Sequence, residues 1–133
     1  MKTIDANIIL RFLTNDLPDQ ANRAASLLQR LEEHRETVFL PDLILADIIW
    51  VLEGYYHQTR KRIRDMMIAI LSLPGIKFSN KDLAFNALDI YVEKNIDWTD
   101  AFIASQMVAQ GITEIYSFDK HFEKIKEVNR IEP

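Results

Sequence analysis

An α/β domain, with a mostly parallel sheet and helices on both faces, is what this 133-residue chain predicts, and three features carry the prediction. Short apolar runs alternate with longer segments whose apolar residues recur at spacings of three and four. The length and a hydrophobic content of 48% suit one domain, residues 1–133, with a core of its own. Only three glycines are present, so tight turns needing positive φ are scarce, as short links between helices and parallel strands allow.

The first strand is Thr3-Ile4, ending at Asp5, and an apolar helix follows from Asn7 to Leu13. Pro18 opens an amphipathic helix to about Glu33, with Ala21, Ala24, Ala25, Leu28 and Leu31 on one stripe. Thr37 to Leu40 is a second strand. Pro41 begins a helix that stops near Gly54 and contains the apolar run Leu43 to Leu52. That run is too long for a strand and predicts a helix buried on most of its surface. Arg60 to Leu73 is helical and ends at Pro74-Gly75, and Ile76 to Phe78 forms a third strand. Lys81 to Lys94 is helical, with Leu83, Ala84, Ala87, Leu88 and Tyr91 aligned. A helix from Thr99 to Ala109 is closed by Gly111, and Ile115 to Phe118 and Val128 to Ile131 are the last strands.

Bulk properties exclude several classes. The chain has no cysteine, hence no disulfide framework and no Cys-based zinc site. The N-terminal apolar stretch is interrupted by Asp5 and Arg11, unlike a signal peptide, and no run reaches membrane-spanning length. A cytoplasmic protein with no membrane partner is the expectation. A net charge of −4 argues against strong non-specific binding to nucleic acid. Basic residues can still form a local phosphate track, and Arg60, Lys61, Arg62 and Arg64 are the densest positive segment. Their plain alternative is a solvated helix N-terminus.

Four acids stand out. Asp5, Asp100 and Asp119 sit where an apolar stretch gives way to the next element, and Asp47 lies inside the long apolar run. Asp5 and Asp119 follow strands, at the sheet edge where ligands collect in such folds, yet each could simply cap a helix. Asp97 and Asp100 could likewise form a capping box. Asp47 is different, because a helix interior offers it no free backbone N–H, and its neighbours Leu43, Ile44, Trp50 and Val51 are apolar. Its alternatives are a buried ion pair with Arg or Lys, or metal ligation. Taken together the acids favour metal, since converging carboxylates without a cation would repel one another. Such a set, with three histidines placed on polar segments, suits Mg²⁺ or Mn²⁺ rather than zinc. The histidines, His34, His57 and His121, are expected at the surface.

Four motifs in order bring a family resemblance into view. They are Ile4-Asp5-Ala6-Asn7, then Pro41 to Glu53 around Asp47, then Asp97-Trp98-Thr99-Asp100-Ala101, then Ser117-Phe118-Asp119-Lys120-His121-Phe122. The chain resembles the PIN-domain ribonucleases, particularly the VapC-type toxins of prokaryotic toxin–antitoxin pairs, from its first residues to its last. The resemblance implies a three-layer α/β/α fold whose central, mostly parallel sheet has four to five strands. It implies Mg²⁺ or Mn²⁺ held by Asp5, Asp47, Asp100 and Asp119, with Asn7 and Ser117 as supporting polar groups and Asp97 as a peripheral acid. The implied reaction is hydrolysis of RNA phosphodiesters by a metal-activated water. The implied partners are an RNA substrate, an antitoxin protein and a second copy of the chain. Trp50, Tyr55 and Tyr56 are the aromatic residues available for a homodimer, and core packing is their alternative.

One position departs from the family pattern. The second motif ordinarily carries Glu, and Asp47 is shorter by one methylene, about an ångström of reach. An intervening water or a local backbone shift would compensate. The departure keeps a second reading open, a catalytically weakened PIN domain that binds RNA or protein. An aspartyl-nucleophile hydrolase of the haloacid-dehalogenase type would want a second Asp where this chain has Asn7.

Overall fold

Six α-helices and five short strands follow one another in the order the apolar pattern predicts. The computed structural model describes every residue from Met1 to Pro133. Contacts divide the chain into two compact units, Met1–Ser79 and Asn80–Pro133. No helix is long and apolar enough to cross a membrane.

The first unit holds β1 (Lys2–Thr3), α1 (Ala6–Thr14), α2 (Pro18–Glu32), β2 (Val38–Phe39), α3 (Asp42–Gly54), α4 (Arg60–Leu71) and β3 (Ile76–Lys77). The strands pair in parallel in the order β1-β2-β3, with Lys2 opposite Val38 and Val38 opposite Ile76. Parallel neighbours need long crossovers, and a pair of helices supplies each one. Pro18 occupies the first turn of α2, where its missing N–H has no intrahelical partner to lose. Asn15 ends α1 in the left-handed region, at φ 54°, a conformation that Asn tolerates better than most residues. Helix α4 stops at Leu71, two residues short of the expected Leu73. The residue before Pro74 is disfavoured in the α region, and the hydroxyl of Ser72 donates back to the Ile68 carbonyl at 2.6 Å.

The run around Asp47 corrects an expectation. Helix α3 buries one stripe, Leu45, Ile48, Ile49 and Leu52, at helical spacing. Leu43, Asp47 and Trp50 lie on the opposite side, Asp47 is exposed, and Leu43 and Trp50 are 80% and 76% exposed. Asp47 is therefore not a desolvated carboxylate, and the apolar run is not buried on most of its surface. Beyond the helix Tyr55 is also exposed, at 74%, so Trp50 and Tyr55 are not core residues. Tyr56 is half-buried, and its hydroxyl donates to Asp16 Oδ2 at 2.6 Å, tying the end of α3 to the end of α1.

The second unit holds α5 (Lys81–Glu93), α6 (Trp98–Gln110), β4 (Glu114–Tyr116), a 3₁₀ helix (Lys120–Lys124) and β5 (Asn129–Ile131). Asn80 caps α5 by accepting from the Leu83 N–H at 3.0 Å, and Gly111 closes α6 at φ 72°. Helices α5 and α6 pack together, with Ala84, Ala87, Ala101 and Ala104 all buried. Buried Tyr91 meets Trp98 edge-on at 6.3 Å. Strand β4 pairs in parallel with β5 across the 3₁₀ helix. The five strands, all paired in parallel, thus form a ladder of three and a ladder of two. Ile96, Ala104, Met107, Phe122, Ile125 and Val128 form one apolar cluster in this unit.

Candidate metal centre

Two of the four singled-out acids meet in the second unit. Asp100 lies in the first turn of α6, and Asp119 follows β4. Their carboxylate oxygens and a ring nitrogen of His121 lie within 4.8 Å of one another. Within Ser117-Phe118-Asp119-Lys120-His121-Phe122, four residues, Ser117, Asp119, His121 and Phe122, have a physical part in this. Phe122 is buried in the apolar cluster and pins the 3₁₀ helix. Ser117 Oγ accepts the Asp119 N–H at 2.9 Å, and Asp119 Oδ1 accepts the His121 N–H at 2.9 Å. The turn is held from behind by Arg130, only 9% exposed, whose guanidinium donates to the Ser117 carbonyl at 2.9 Å and to Glu123 at 2.9 Å. Asp119 is therefore a carboxylate on a fixed mount.

Asp100 has a different environment. Partial burial raises its pKa above the ordinary carboxylate value, and the negative charges of Asp119 and Asp97 raise it further, with His121 acting the other way. Asp97 stands at the N-cap of α6, yet its side chain makes no capping bond there, so the capping box expected of Asp97 and Asp100 does not form. Repulsion among acids is what a cation relieves. Two carboxylates and an imidazole are a donor set that fits a divalent ion.

The raised pKa of Asp100, from burial first and from its acidic neighbours second, has a thermal signature. A folded-state pKa raised above the unfolded value contributes stability below the unfolded value, and that stability is lost as pH rises through the folded one. In EDTA, Asp100→Asn is expected to raise the melting temperature at pH 7. The gain should shrink toward zero as pH falls below about 4, where unfolded Asp is protonated. A pH series of melts checks this, and a gain independent of pH would contradict it.

The remaining expected residues lie in the first unit. Asp5 caps α1, its Oδ1 accepting the Ala6 N–H at 2.8 Å, and is exposed directly after β1. Asn7 is exposed and lines a groove of about 350 Å³ with Arg11, Gln20 and Arg23. Arg60, Lys61, Arg62 and Arg64 occupy the start of α4, whose first turn holds no acid; Thr59 Oγ1 accepts the Arg62 N–H at 3.2 Å, and Arg64 lies 3.8 Å from Asp65. Cations at a helix N-terminus oppose the helix dipole, so local helix energetics do not account for this cluster. Lys61 and Arg62 are exposed, and Arg60 and Arg64 half-buried.

His121 was expected only as a surface residue. It is exposed, as are His34 and His57, but its ring Nδ1 sits 3.3 Å from Asp119 Oδ1. Its position two residues after a capping Asp was the available signal, since such an Asp accepts from the backbone N–H at that spacing.

A family model described as the PIN domain matches residues 2–128. The chain is also 24% identical, over 134 aligned residues, to the VapC ribonuclease of Aquifex aeolicus (strain VF5). That similarity covers 99% of this chain and 98% of the Aquifex protein. The family match spans nearly the whole sequence, both units included, and the chain belongs to the PIN domain family.

Proposed function

We propose that the chain is a metal-dependent endoribonuclease, a toxin restrained by a cognate antitoxin, acting in the cytoplasm as one domain of residues 1–133. The observation that carries this reading is the convergence of Asp100 and Asp119 in a chain of the PIN family. Similarity to a protein named as a VapC ribonuclease supports the choice of RNA and of the toxin class. Asp100 and Asp119 would hold Mg²⁺ or Mn²⁺, with Ser117 fixing Asp119 and Asp97 adding negative potential. When bound, such an ion lowers the pKa of a coordinated water and offsets charge on the leaving oxygen. Asp5 and Asp47 are assigned to the same reaction, with Asn7 in support, from their motif positions alone. The direct test is cleavage of a mixed RNA pool with Mg²⁺ or Mn²⁺ against EDTA. RNA retained without turnover in either metal would favour the binding-module reading.

The basic start of α4 is assigned to the RNA backbone. Replacing Lys61 and Arg62 together by Ala should weaken RNA binding and flatten its log–log salt dependence by roughly 1.4, about 0.7 per lost phosphate contact on a single strand. The α4 helix should survive, because the change removes cations from the wrong end of its dipole. Filter binding across a salt series measures both quantities, and an unchanged slope would exclude this face.

A homodimer is proposed through the exposed Leu43, Trp50 and Tyr55. Light scattering at micromolar concentration should give twice the 15.5 kDa chain mass, falling to the monomer in Trp50→Glu. A wild-type monomer would contradict the assignment.

A further inference from the structure

Asp119 Oδ1 accepts the backbone N–H of His121, and that bond turns the chain so that the His121 ring returns to the same carboxylate, Nδ1 lying 3.3 Å from Oδ1. Ligands at right angles around an ion, each about 2.1 Å from it, stand about 3 Å apart, and opposite ligands about 4.2 Å apart. The spread of Asp100, Asp119 and His121, all within 4.8 Å, exceeds that span by an amount small side-chain rotations can close. Neither the PIN motif positions nor the apolar pattern had assigned this imidazole a part.

We infer that His121 is a nitrogen ligand of the metal centre and biases it toward Mn²⁺ over Mg²⁺. The inference rests on the proposed metal-dependent reading and adds a ligand and a selectivity to it. Mg²⁺ is a hard ion that keeps oxygen ligands and several waters, whereas Mn²⁺, which shares that liking for oxygen, is a softer transition ion that accepts an imidazole nitrogen more readily. A carboxylate-only centre has little reason to prefer Mn²⁺ strongly. Asp100, Asp119 and one ring nitrogen supply a mixed set in which replacing His121 should cost Mn²⁺ affinity and spare Mg²⁺.

The test uses the full chain as wild type, His121→Ala and Asp119→Asn, with Mn²⁺ and Mg²⁺ as the only added ligands. Ala keeps the backbone N–H that Asp119 accepts, and Phe122 still anchors the 3₁₀ helix. Pulsed EPR of wild type with substoichiometric Mn²⁺ should show coupling to a directly bound ¹⁴N, absent in His121→Ala. By calorimetry, Mn²⁺ affinity should fall about tenfold or more in His121→Ala, with Mg²⁺ affinity changed by less than about twofold. Mn²⁺ binding that Asp119→Asn abolishes but His121→Ala leaves intact, with no ¹⁴N coupling in wild type, would overturn the inference and spare the metal centre. Absence of Mn²⁺ binding in wild type would overturn the metal-dependent reading itself, and this inference with it.

Discussion

Asn at position 119 is expected to leave the protein folded and to reduce RNA cleavage by at least about a hundredfold, since a metal ligand stabilises developing charge by several kcal/mol. The separation of the two effects follows from the local geometry. Asp119 caps the 3₁₀ helix by accepting from the His121 N–H, and Asn caps as well as Asp. Ser117 bonds only the backbone of residue 119, and Arg130 bonds the Ser117 carbonyl, so both supports survive the substitution. The loss is confined to the negative charge. Single-turnover cleavage in Mn²⁺, alongside thermal melts, measures both sides. Full cleavage by the variant would remove Asp119 from the reaction, and a collapsed melt would mean that the charge serves the fold.

The largest effect on stability is expected at Gly75. A Cβ there would meet backbone: nearest of all the Glu36 carbonyl oxygen, then the Leu31 Cα and the Leu31 carbonyl oxygen, these two at 2.8 Å. No flexible side chain is available to move aside. Gly75 also donates its N–H to the Leu31 carbonyl at 2.9 Å and accepts from the Val38 N–H at 2.8 Å, so this turn joins the end of α2 to the sheet. Gly75→Ala should cost about 3 kcal/mol, the upper range for overpacking, and lower the melting temperature by roughly 10 °C. Urea unfolding checks this. A variant within about 0.5 kcal/mol of wild type, the range of a neutral surface change, would show that the approach is looser than the structure has it.

The elements were legible because helix and strand leave different apolar periods, and strong punctuation marked their ends. Pro18 and Gly111 act at helix ends as their chemistry dictates, and Asn80 caps α5 directly. The orientation of α3 was harder to see. Its run is apolar nearly all round, so the period gives no face and predicts burial on most of the surface, although Leu43 and Trp50 are exposed. Asp47 itself was the marker, since it lies about 200° around the helix from Leu45 and therefore labels the outward side. The expected capping box at Asp97 failed for another reason. Cap patterns describe what side chains can bond locally, and Asp97 instead adds charge to Asp100. At the candidate metal centre the carboxylates of Asp100 and Asp119 were legible from residue type and position. For His121 the one signal was its place two residues after Asp119, because its approach depends on one backbone hydrogen bond in a short 3₁₀ helix that no apolar period announces.

Metal dependence of RNA cleavage is the centre of the functional reading, and chelation and restoration test it most directly. Purified protein should cut a mixed RNA pool in Mn²⁺, stop in excess EDTA and resume when Mn²⁺ exceeds the chelator, while Asp119→Asn stays inactive throughout. Cleavage that persists in EDTA, or that Asp119→Asn retains, would contradict a carboxylate-held metal as the catalyst.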